Sequence, residues 1–337
     1  MRVAVLGATG LLGQHVCRAA LAGGHELRVI HRPASDLGRL EGLRFEAAAA
    51  DLDDPAALGH ALAGIEGVVN CAAPYPRAPR SWREEVRTGL RMLEGFYTAC
   101  EQARIERIVY LGAAIALRPR EDGRPANEQC VYAARPASRN PYVQLKWALD
   151  RQAVDAAAGG LPVAIGIPSM SFGEYDWGPS TGQLLLGIAS GRLARFVPGK
   201  RNVIYAGDAG RGLVSVLEKG RRGQRYLLTG ENVTMEDLVT RMASLAGVDT
   251  PRPLSLGAAR FVSAIQHLRY RLGGPLPVLS ETALAVMAGG QYLDGARAAR
   301  ELDFTAVVSV DEALRRSLDW FRGAGYLPAL CGRDRHE

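Results

Sequence analysis

A chain of 337 residues with 47% hydrophobic content buries a full core, as one large domain or two intimate ones. No apolar run is long enough to cross a bilayer, and Cys17, Cys71, Cys100, Cys130 and Cys331 stand without a CxxC pair, against a disulfide framework and a zinc site. The net charge of +6 is dispersed, aromatics are only 7% and no five basic residues run together, which argues against nucleic acid and leaves an arginine-rich composition or an anionic small ligand.

Met1 is followed almost at once by a core strand, so no signal peptide is expected, and a reducing cytoplasm is the expected compartment. Val3 to Leu6 is apolar on both faces, as a central parallel strand is. It runs into Gly7-Ala8-Thr9-Gly10-Leu11-Leu12-Gly13 and then an amphipathic helix. In such a turn Gly7 makes the bend, Gly10 lets a backbone amide approach a pyrophosphate, and Gly13 lets the helix pack on the strand. Gly7, Thr9, Gly10, Leu11, Leu12 and Gly13 are the expected dinucleotide contacts, because a helix N-terminus offers unpaired N–H groups and partial positive charge.

The second strand, from Glu26, ends at Val29-Ile30-His31-Arg32 with no acid to grip a ribose 2′-hydroxyl. Arg32 offers a guanidinium to a 2′-phosphate, so NADP is favoured over NAD; the alternative is that Arg32 only tops a strand. Arg44 to Ala49 reads as strand three. Asp51-Leu52 follow at its carboxyl end, where Asp51 meets an adenine amino group or else starts the helix that Pro55 announces. Gly67 to Cys71 reads as strand four, continued by the small residues Ala72 and Ala73, with Tyr75 and Arg77 opening a loop beside the substrate.

Ser81 to Ala103 reads as a long helix whose stripe of Arg80, Arg83, Arg87 and Arg91 is expected to be a solvated face. Arg107 to Leu111 is strand five. Asn140-Pro141 then opens a helix by N-cap and first-turn preference, with Tyr142 and Lys146 four apart on one face. Pro162 to Ile167 is strand six, and Ser169 to Thr181 reads as a long loop folded over a ligand.

The first 170 residues thus read as a Rossmann-type, doubly wound parallel α/β sheet. Residues 171–330 read as a mainly substrate-binding, smaller α/β lobe, with some segments returning to the sheet. In it, helices are expected near Gly182 to Gly191, from Asp208, and over Met235 to Ala246, Leu256 to Leu272, Glu281 to Met287 and Val310 to Ala324. Strand pieces are expected at Arg195 to Val197, Val203 to Tyr205 and Arg225 to Thr229.

Taken together, the Gly7 to Gly13 turn, Asp51-Leu52, Asn70 to Ala73, Tyr142-x-x-x-Lys146 and Pro168 to Gly173 resemble the extended short-chain dehydrogenase/reductases. More narrowly, the chain is similar to the nucleoside-diphosphate-sugar epimerase/dehydratase group and its dihydroflavonol-reductase-like and hopanoid-associated sugar epimerase-like neighbours. The resemblance implies a cytoplasmic NAD(P)-dependent oxidoreductase that moves a hydride at a sugar carbon, with Tyr142 as acid/base and Lys146 holding the phenol and the nicotinamide ribose. It also implies cofactor contacts at Cys71, Ala72, Ala73, Pro168 and Ser171, and substrate contacts at Tyr75. Arg201-Asn202-Val203 has the spacing of a stretch in which a first arginine clasps a diphosphate, but with Asn and Val in place of the usual acid and aromatic, so Arg201 is either that contact or an exposed loop residue.

One departure stands out: where the resemblance places a serine donor after strand five, this chain reads Leu111-Gly112-Ala113-Ala114, leaving Tyr75, Ser169 or a water as substitutes. Two alternatives stay open on these grounds. One is an NADPH-dependent reductase of a hydrophobic ketone of dihydroflavonol or sterol type, with Phe261, Val262, Ile265, Leu268 and Leu272 walling an apolar pocket rather than forming ordinary core. The other is a weakened dinucleotide-binding regulatory protein. The expected partner is a small molecule, a nucleotide sugar by preference, with no nucleic acid and no membrane. The long helix from Ser81 and the helix from Tyr142 resemble a pair that dimerises relatives.

Overall fold

The computed structural model describes residues 1–73, 81–138, 140–274 and 289–328. Tyr75, Arg77, Arg80, the helix expected at Glu281 to Met287 and Cys331 lie outside them.

Seven parallel strands form the central sheet in the order β10-β6-β5-β4-β1-β2-β3. These are β1 (Arg2–Leu6), β2 (Glu26–His31), β3 (Glu46–Ala49), β4 (Gly67–Asn70), β5 (Arg107–Leu111), β6 (Val163–Pro168) and β10 (Arg225–Leu228). The order reverses between β1 and β4, whose registers pair Leu6 with Ile30 on one side and with Asn70 on the other. A crevice opens at such a reversal, beyond the carboxyl ends of the strands. On one face of the sheet pack α2 (Pro55–Ala61), α3 (Trp82–Gln102) and α4 (Pro141–Ala158), around Phe96, Leu145 and Leu149. On the other lie α1 (Leu11–Ala22) and α6 (Ala206–Lys219), around Val16, Leu213 and Leu217.

The glycines of the first turn are fixed by contact. Gly7 has φ +74°, and a side chain there would lie 2.9 Å from Ala72 N at the end of β4. At Gly13 a Cβ would fall 2.1 Å from Gly7 O and 2.7 Å from Gly7 C, so the start of α1 rests directly on the turn that it follows. Gly13→Ala must push helix and turn apart, and backbone cannot swing aside as a side chain does. We expect a loss of about 3 kcal/mol, at the upper end of over-packing costs, measured as a lower urea midpoint at unchanged m-value.

Several expectations change in detail. β3 starts at Glu46 rather than Arg44. The span Ser169 to Thr181 is not all loop, since Met170–Phe172 forms β7 and pairs in parallel with β9 (Lys200–Tyr205). β9 in turn pairs antiparallel with β11 (Glu231–Thr234). A further core gathers α5 (Gly182–Ala189), α7 (Met235–Ala246) and the last helix, Val310–Gly323, around Phe172, Leu238 and Phe321. β8 (Arg195–Phe196) pairs with β12 (Arg252–Pro253), after which α8 (Leu256–Arg271) follows. The apolar residues expected as core or pocket wall on α8 are neither: Phe261, Val262, Ile265, Leu268 and Leu272 are all exposed.

Candidate active site

The start of α1 leaves its first amides uncapped. Its N-cap is Gly10, no side chain caps it, and no acidic residue occupies its first turn. The first N–H groups of a helix have no partner within it, and here no side chain among the described residues takes them. Gly10 itself is exposed, with only Gly7 O within 4 Å of where a side chain would begin. Thr9 and Leu12 are half-exposed beside it, whereas Leu11 is buried against the sheet.

The floor of the crevice is the end of β4. Asn70 is buried, and its Oδ1 accepts from Ala72 N at 3.0 Å, while Cys71 N donates to Leu6 O. This local turn presents Cys71 and Ala72 half-exposed and Ala73 exposed. Desolvation of its thiol pushes Cys71 up to about 12.

At the other end of the crevice, Arg32 is exposed directly after β2. Asp51 is half-exposed after β3, and the capping role that competed for it belongs to Asp54, whose Oδ1 accepts from Ala57 N at 3.0 Å. Leu52 is buried beneath it. These residues suit an adenine dinucleotide laid from the α1 turn towards β2 and β3. When bound, a nicotinamide supplies the site that gives or takes a hydride.

Tyr142 and Lys146 follow from how α4 begins. Asn140 Oδ1 accepts from Tyr142 N at 3.0 Å and Val143 N at 3.3 Å, and Pro141 takes the first helical position, where its missing N–H costs nothing. Tyr142 therefore stands in the first turn, at the positive end of the helix dipole. One turn on, Lys146 Nζ lies 5.8 Å from the centroid of the Tyr142 ring. Burial lowers Lys146 to about 8 from an ordinary 10.5. Its ammonium has no hydrogen-bond partner among the described residues.

Three contacts hold this helix in place, and sequence reading missed all of them. Gln144 is buried, and its Nε2 donates to Pro136 O at 2.8 Å and also to Ser138 O, pinning the approach to the helix. Arg225 on β10 grips Asp150 with both sides of its guanidinium, Nε to Oδ1 at 2.9 Å and Nη2 to Oδ2 at 2.5 Å. Glu128 Oε1 accepts from Leu227 N at 2.9 Å, tying the loop before α4 to the same strand.

After β5, Ala113 stands half-exposed in extended conformation at the head of a short 3₁₀ turn, Ala114–Ala116. No hydroxyl is present there. Leu111 pairs with Gly166, so Ser169 leaves the neighbouring strand β6 beside it. Among the described residues the Ser169 Oγ is buried without a hydrogen-bond partner, one of thirteen side-chain polar atoms so placed. Pro168 ends β6. Ser171 is buried on β7 and its Oγ donates to Ser169 O at 2.9 Å. Arg201 lies on β9 opposite Val233 and is buried rather than in an exposed loop; its Nη1 donates to Lys200 O at 2.6 Å. Burial lowers its guanidinium to about 10.

A doubly wound sheet, an uncapped glycine turn at its reversal point and a tyrosine–lysine pair at one helix start define a nicotinamide-dependent oxidoreductase. Residues 3–229 match the NAD dependent epimerase/dehydratase family, and the chain belongs to it. A crystal structure described as a nucleoside-diphosphate-sugar epimerase from Pseudomonas aeruginosa is 44% identical, with 97% of this chain and 99% of that chain covered and a TM-score of 0.86. Sterol demethylase protein B of Methylococcus capsulatus is 29% identical over 337 residues, covering 97% of this chain and 100% of its own. A putative dihydroflavonol 4-reductase of Synechocystis is 26% identical over 333 residues, covering 96% and 95%. The protein is an enzyme, and its cofactor is a nicotinamide dinucleotide.

Proposed function

We propose that the enzyme interconverts a secondary alcohol and a ketone on a nucleotide sugar, with Tyr142 exchanging the proton and Lys146 supporting the phenolate. The observation that carries the substrate class is Arg201. Its guanidinium is buried on β9, and burial disfavours its charge. A diphosphate offers the two oxygens that a guanidinium clasps. The similarity to the Pseudomonas epimerase supports the same substrate class. Arg32 selects NADP by its 2′-phosphate, Asp51 meets the adenine, and Gly7, Thr9, Gly10, Leu11, Leu12, Gly13, Leu52, Cys71, Ala72, Ala73, Pro168 and Ser171 line the cofactor. Ser169 supplies the hydroxyl that Ala113 lacks. Tyr75 belongs to the substrate side, residues from 171 onward form most of the substrate lobe, and a cytoplasmic homodimer through α3 and α4 completes the reading.

Arg201→Met tests it. The affinity for UDP- or dTDP-sugars, measured by calorimetry, is expected to fall about 10–100-fold, the worth of one or two hydrogen bonds to a charged group. Affinity for NADP stays unchanged, which also certifies the fold. If no nucleotide sugar raises the melting temperature of the wild-type enzyme, the substrate class is wrong.

A second reading, reduction of a hydrophobic ketone by NADPH, is favoured by the relatives that align along the whole chain. Besides the two above, these include a ketoreductase of a farnesylated quinoline oxide from Stigmatella aurantiaca. Under it Tyr142 and Lys146 keep their roles and the Arg201 substitution leaves turnover intact.

A further inference from the structure

We infer that α8 is a docking surface for an anionic phospholipid bilayer, on which the enzyme rests as a peripheral protein. This goes beyond the proposed function and stands whichever substrate is turned over. Phe261, Ile265, Leu268 and Leu272 are 69%, 45%, 59% and 80% exposed. Spaced four, three and four apart, they fall within about 60° of one another at 100° per residue, with Val262 about 60° beyond that edge. Among the described residues eight large hydrophobics are exposed; four form this stripe, Val262 lies beside it on the same helix, and the other three, Met1, Val131 and Val307, are scattered along the chain. Single exposed apolar residues are ordinary, but a contiguous stripe marks an interaction surface. On the opposite side of the helix Ala259 and Ser263 are buried.

The charges around the stripe name the partner. From residue 250 to 274 the sequence holds no Asp or Glu. Arg260 and Arg269 are exposed and, by position, sit about 110° to one side and about 70° to the other side of the stripe's centre. Long cationic side chains flanking an apolar ridge on both sides let the ridge enter the acyl boundary while the guanidiniums stay at headgroup level. Anionic headgroups then complement the charge. A helix of 16 residues is about 24 Å long, short of a hydrocarbon core, and no described helix is long and apolar enough to cross a membrane. Such a helix lies in the interface plane, which the absence of a spanning segment does not preclude.

Flotation of the full-length enzyme with vesicles tests this. Wild type is expected to float with vesicles of phosphatidylglycerol and phosphatidylcholine, to bind pure phosphatidylcholine about tenfold less, and to lose binding as salt rises. Phe261→Ser with Leu268→Ser abolishes flotation, and Arg260→Gln with Arg269→Gln removes the preference for anionic vesicles. Cofactor affinity, unchanged in both variants, certifies the fold. Wild type that floats with neither vesicle overturns the inference. So does a dimer on gel filtration that the double serine variant dissociates while vesicle binding is absent, since the stripe then serves a second copy of the chain.

Discussion

Tyr142→Phe is expected to lower kcat by about 10²–10⁴-fold, the range for removing a positioned proton donor, while leaving the affinity for NADP unchanged. The ring stays and only the oxygen goes, so the packing of the first turn of α4 is kept. Two features prepare that oxygen: the Asn140 cap, which sets the tyrosine in the positive end of the helix, and Lys146 at 5.8 Å from its ring. Ser169→Ala is expected to cost about 10²-fold, as loss of one hydrogen-bond donor to a reacting oxygen does. Because both groups act on one substrate atom, the double variant loses less than the product of the two losses. Steady-state kinetics with cofactor titration by fluorescence decides the matter. Turnover that survives Tyr142→Phe removes Tyr142 from the proton transfer.

The parts of the site legible in sequence are those fixed by residues close together in the chain. Gly7 and Gly13 are six apart, and the 2.1 Å approach of a Gly13 side chain to Gly7 O makes the spacing obligatory. Asn140 and Pro141 announce α4 because a cap acts on amides two and three residues ahead. What holds α4 from outside was not legible: Asp150 and Arg225 are 75 residues apart, and Glu128 and Leu227 are 99 apart. No local pattern links such partners. β7 and β11, at three and four residues, are too short for alternation to distinguish them from loop. The α8 stripe carries a different lesson. Periodicity identified a helix with an apolar face, as core would have, but whether anything covers that face is a property of the assembled chain.

Lys146→Met is expected to make the cofactor-free enzyme more stable at pH 7 while reducing turnover by about 10²-fold, since the phenolate loses a neighbouring positive charge. The stability gain follows from burial, which lowers the lysine from 10.5 to about 8. A base whose native pKa is depressed binds its proton less tightly folded than unfolded, so between about 8 and 10.5 the unfolded chain holds more protons. Stability then rises with pH across that window. The penalty is present in full below pH 8 and gone above 10.5. Methionine, of similar length and uncharged, removes it. The melting temperature of the variant should therefore exceed that of wild type by roughly 2 °C at pH 7, a shift of the size about 1 kcal/mol gives in a chain this large, and the difference should shrink towards pH 10. Calorimetric scans of both proteins across that range, with the dinucleotide removed, provide the comparison. A variant less stable at pH 7, or a difference independent of pH, would mean that the ammonium is held by native partners rather than kept in reserve for the ribose and the phenolate.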